Sequence, residues 1–122
     1  MSEFQHFCLV RQEHLNQYGS LYGGHLLGII DEMAYVCCVR TYPGRNFLTK
    51  ALDNVEFHVP AHLGDVLETS AFLELVGRTS CRVRVKVFIC TGKDEQRQLS
   101  FDGQVVMVCV DEQGRPTPVQ DE

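Results

Sequence analysis

None of the six cysteines, at positions 8, 37, 38, 81, 90 and 109, falls in a CxxC pair, so the spacing of a structural zinc site is missing. Two are adjacent within a helical pattern, and the others alternate into apolar strand patterns. All six therefore read as small buried hydrophobes in a reducing compartment. His58 and His62 have HxxxH spacing, but Pro60 and a turn separate them, which breaks the helical face a metal pair requires. No metal is expected. Positive charge is also in short supply. The net charge of −5 argues against general nucleic-acid binding, although a local basic patch can still attract an anionic ligand. The first residues carry no apolar run, so no signal peptide is expected. The longest apolar stretch is interrupted by Asp31 and Glu32 and is too short to span a bilayer. A cytoplasmic protein is expected. No repeat, low-complexity tract or linker divides the 122 residues, which fit one domain, 1–122. The tail from about 114 to 122 is expected to be extended or disordered.

The hydrophobic fraction of 44% is that of a globular protein. Residues 4–10 read as a strand and 11–22 as a polar, glycine-punctuated loop. A helix is predicted from about Gly23 to Thr41, ended by Pro43-Gly44. Its apolar positions leave almost no polar stripe, so cover is expected on most sides. Four strands follow, over 47–58, 66–76, 80–90 and 101–110, with a polar turn at 91–98. In the third of these, Cys81, Val83, Val85 and Val87 share one face and Arg82, Arg84 and Lys86 the other. One helix among strands argues α+β with an antiparallel sheet. A single sheet can wrap one side of such a helix, and a second subunit is the obvious cover for the rest.

Gly23-Gly24 at the helix start leaves bare backbone N–H donors open to another group. Asp31 stands two turns further on. A carboxylate in that setting costs several kcal/mol if truly buried and unpaired, so it either reaches a polar cleft or has a task. Glu32 lies about 100° further round the helix and cannot share that task.

Four blocks in order resemble the hotdog-fold acyl-CoA thioesterases. They are Asn16, GSLYGGHLLGIIDEMA at 19–34, FHVPAHLGD at 57–65, and VGRTS at 76–80. The family pattern reads roughly Asn-x-x-Gly-Thr-Leu-Phe-Gly-Gly, then a helix with Asp about seven residues on. Here Ser20 replaces Thr and Tyr22 replaces Phe, and neither is expected to touch the chemistry. His58 and His62 stand where other members often carry Arg. The resemblance implies a five-stranded antiparallel sheet wrapped around the helix. It also implies a homodimer joined through edge strands 47–58, open to further assembly into a tetramer or hexamer. Its site would lie between subunits, with Asn16 of one chain facing Asp31 of the other.

The expected reaction is hydrolysis of an acyl-CoA to a free acid and CoA, with no cofactor. Gly24 N–H, at the positive end of the helix dipole, is the expected oxyanion donor. Asp31 is the general base or the nucleophile; both remain open. Asn16 would orient the water or the carbonyl. Gly23, Arg78, Thr79, Ser80 and His58 are the expected substrate contacts, with Arg78 suited to a CoA phosphate. A non-catalytic acyl-CoA binder is the main alternative. A hotdog hydratase or dehydratase fits less well, because such enzymes usually carry a catalytic His, and no His follows His25 in the helix.

Overall fold

The computed structural model describes residues 3–91 and 97–121. Strand β1 (Glu3–Leu9) leads through a 3-10 turn at Gln12–His14 into helix α1 (Gly23–Thr41). Strands β2 (Asn46–Phe57), β3 (Val66–Val76), β4 (Ser80–Ile89) and β5 (Gln98–Val110) follow. They form one antiparallel sheet in the order β1-β3-β4-β5-β2. The helix bounds match those expected. β5 starts three residues earlier than expected because Gln98 and Leu99 pair with Ile89 and Phe88. Residues 92–96 of the expected 91–98 turn lie outside the described residues.

Each element follows from local chemistry. The extended backbone of Tyr22 caps α1, and its carbonyl accepts from the His25 and Leu26 N–H groups at 3.0 and 3.1 Å. At the other end the Thr41 hydroxyl donates to the Cys37 carbonyl at 2.7 Å. Pro43 and Gly44, the latter at φ +87°, then stop the helix. On β4, Cys81, Val83, Val85 and Val87 are fully buried against the Leu26, Ile30 and Ala34 side of α1. The alternate residues turn outward. Arg82 pairs with Asp53 at 2.9 Å, and Arg84 with Glu74 at 2.7 Å and Asp102 at 3.1 Å. These two arginines are therefore neutralised by neighbouring strands and do not form an anion-binding patch.

The single chain leaves one side of α1 uncovered, and it corrects the expectation that all six cysteines are buried. The helix is buried only along Leu26, Ile30, Met33, Ala34, Cys37 and Cys38. Gly24, Gly28, Asp31 and Tyr35 are exposed, because one sheet covers one side of a helix. Cys37, Cys38, Cys81 and Cys109 are buried, but Cys8 and Cys90 are half-buried near strand ends; all six are free thiols. Burial pushes the Cys37 thiol up to about 11. The tail has no regular structure yet is packed: Val119 is buried, and its N–H donates to the Arg78 carbonyl at 2.8 Å. Among the described residues no group of three or more His, Cys, Asp and Glu is placed to hold a metal ion. No helix among them is long and apolar enough to cross a membrane.

Candidate active site

Gly23 and Asn16 meet at one end of the sheet. A cavity of about 210 Å³ is lined there by Asn16, Ser20, Gly23, Phe57, His58 and Ser100, among others. Among the described residues no carbonyl accepts from the Gly23 or Gly24 N–H, as expected for the first turn of a helix. These two donors sit at the positive end of the α1 dipole.

Asn16 is held by its own loop. Its Oδ1 accepts from the Tyr18 and Ser20 N–H groups at 2.9 and 3.1 Å, and its backbone N–H donates to the Ser20 carbonyl at 2.8 Å. The side-chain oxygen is thus committed to the turn. The amide Nδ2 remains to donate, so a role as donor fits better than a role as acceptor.

Asp31 lies elsewhere. Its carboxylate is exposed rather than buried and accepts from the Thr49 hydroxyl on β2. Thr49 Oγ1 also lies 3.5 Å from Met107 Sδ, which fixes the hydroxyl between helix and sheet. Asp31 makes no ion pair among the described residues. Glu32 borders a separate cavity between α1 and β1, of about 340 Å³, so the two acids do diverge. Gly24 and Asp31 are seven positions apart on α1, about 10.5 Å along the axis. A single thioester is too small to span that gap. Within one chain the Gly24 amide and the Asp31 carboxylate therefore do not meet on one carbonyl.

The other expected residues divide likewise. The backbone N–H of His58 donates to the Ser100 carbonyl at 2.8 Å, and its Nε2 lies 3.7 Å from Glu56. Arg78, Thr79 and Ser80 form the β3–β4 turn at the opposite end of the sheet. Arg78 borders a polar cleft with Gln120 and Asp121, and the Thr79 carbonyl accepts from the Cys109 N–H at 2.7 Å. One chain does not bring them to Asn16.

Two residues gain importance. Thr49 is a polar residue at an inward-facing position of β2, opposite Met107; threonine is so ordinary in strands that this signal is faint. Tyr22 was expected to leave the chemistry untouched. Its ring lies over Gly24 instead: a Cβ there would stand 2.6 Å from Tyr22 Cε1.

The family model for the thioesterase superfamily matches residues 18–95. Protein VdlD of Helicobacter pylori is 36% identical over 99 residues, covering 81% of this chain and 56% of VdlD. The chain thus spans little more than half of that relative's length. An uncharacterised acyl-CoA thioester hydrolase of Zymomonas mobilis is 33% identical over 104 residues, covering 85% of this chain and 69% of the relative. The crystal structure of an apo-hexameric acyl-CoA thioesterase superposes with a TM-score of 0.87 at 33% identity, over 95% of this chain and 74% of that one.

Proposed function

The chain belongs to the thioesterase superfamily, and from that membership we propose that it hydrolyses acyl-CoA thioesters at a site shared between two copies. The observation that carries this reading is the uncovered stripe of α1. It holds the bare Gly24 amide, Gly28, Asp31 and Tyr35, beside edge strand β2. Antiparallel pairing of β2 with the same strand of a second copy covers the stripe and reverses one chain against the other. The Asn16 end of one copy then approaches Asp31 of its partner. The turn carrying Arg78, Thr79 and Ser80 comes to the same side. That a structural relative is hexameric supports the assembly of several copies.

In this site Gly24 N–H and Asn16 Nδ2 hold the developing oxyanion. Asp31 of the partner copy takes a proton from the attacking water, or attacks the carbonyl carbon itself to give a mixed anhydride that water then opens. The Thr49 hydroxyl fixes the orientation of that carboxylate. A thiol, with a pKa of about 8.5, leaves as thiolate without a strong general acid, so no catalytic His is required. His58 contributes to the mouth of the small cavity, where the pantetheine arm enters. The expected cytoplasmic location suits this substrate class.

The test is release of thiol from a panel of acyl-CoAs. Asp31→Ala and Asn16→Ala should each lower kcat by at least ~10²-fold while the dimer persists in size-exclusion light scattering. Near-normal turnover by Asp31→Ala would overturn the site. Tight binding without thiol release in the wild type would make the protein a binder rather than an enzyme.

A further inference from the structure

The side of α1 facing β1 carries a pair that the site above does not use. The rings of His14 and His25 stack with centroids 3.8 Å apart and planes 12° from parallel. His14 closes the 3-10 turn of the loop between β1 and α1. His25 is in the first turn of the helix.

The bonds around His14 tie it to both ends of that loop. The Arg11 N–H donates to its Nδ1 at 3.1 Å. Its carbonyl accepts from the N–H of Tyr22, the helix cap, at 2.7 Å. Asn16 follows two residues later, and its Oδ1 anchors Tyr18 and Ser20. The imidazole stack is a side-chain contact that joins this loop to the helix body.

We propose that the His14–His25 stack is a positioning clamp that holds Asn16 against the first turn of α1. As a role in catalysis it rests on the hydrolase reading; as a fastening of the loop it stands alone. Stacking of the two rings requires planar aromatic faces, and charging both imidazoles would set like charges 3.8 Å apart. The charged groups near the pair are Glu13, whose carboxylate lies 4.0 Å from His14 Nε2, and Arg11, whose backbone bonds to His14; His6 from β1 and Glu32 from α1 line the adjoining cavity, and Arg40 lies at its far end. Burial, and then the neighbouring His14, lower the pKa of His25 below its ordinary 6.5. A lowered imidazole pKa means that the fold favours the neutral ring. The clamp is therefore complete above pH 6.5 and is lost as pH falls below that value through the depressed pKa.

The experiment compares wild type, His25→Ala, His14→Ala and His25→Phe. Hydrogen exchange is read at the Tyr18 and Ser20 amides as protection factors. Steady-state kinetics use whichever acyl-CoA the wild type turns over fastest. Each Ala variant should lose about 10-fold in protection at these two amides and about 10-fold in kcat, with KM within about twofold. His25→Phe should restore both and abolish the loss of protection below pH 6.5 seen in the wild type. Unchanged exchange in both Ala variants would overturn the clamp. So would a His25→Phe protein as impaired as His25→Ala, because imidazole chemistry rather than stacking would then be at work. A wild type without turnover would sink the hydrolase reading alone, and the exchange data would still decide the clamp.

Discussion

Gly24 joins two demands in one residue. Its N–H is available for an oxyanion, and its missing side chain leaves room for the Tyr22 ring, which a Cβ would approach to 2.6 Å. Replacement by Ala forces that ring aside. The ring is 58% exposed, so its displacement costs little, and Ala gains up to about 1 kcal/mol of helix propensity over Gly. Gly24→Ala should therefore keep its melting temperature within about 3 °C and lose about 10²-fold in kcat. Adding Tyr22→Ala separates the causes: recovered kcat would blame the displaced ring, and continued loss would blame the screened amide. A large fall in melting temperature with kcat unchanged would instead make Gly24 a packing residue. Thr49 belongs to the same scale, since one hydroxyl orients the acid on which the reaction depends.

The helix and strand β4 were the most legible elements, each for a definite reason. Pro43-Gly44 and the diglycine bracket α1. The strict alternation from Cys81 to Val87 leaves one face for the core and one for charges. The register between elements was not legible. Nothing local says that Thr49 meets Asp31, because that contact depends on how α1 lies across β2. Nor does motif order reveal that the 78–80 turn and Asn16 occupy opposite ends of the sheet; that follows from strand pairing. The outer face of the sheet supplies a test at this scale. Hydrogen bonding from Arg84 holds the Glu74 carboxyl below its ordinary 4.5, against the opposing effect of burial. A depressed carboxyl pKa contributes stability above 4.5, and that contribution disappears as pH falls through the lowered value. Arg84→Leu should thus cost about 1 kcal/mol or less in urea unfolding at pH 7, and the deficit should shrink at pH 3. An equal deficit at both pH values would assign it to lost packing of the arginine stem.

At the level of the whole molecule, β2 is a twelve-residue edge strand with Leu48 and Leu52 exposed at 54% and 39%. Long bare edges invite pairing. If a second copy takes that place, Asn16→Ala and Asp31→Ala chains mixed in equal amounts should regain part of the wild-type rate. A mixed dimer retains one intact composite site beside one doubly damaged site. Statistical mixing gives about half mixed dimers, so roughly a quarter of wild-type kcat per chain is expected. Verified heterodimers without activity would count against a shared site. The bare edge also governs how the protein must behave when scarce. A lone chain carries every reacting group yet no complete reaction centre. At concentrations far below the dimer dissociation constant, initial velocity should therefore climb with the square of the amount of protein added, and turn linear only once nearly every chain has found its double.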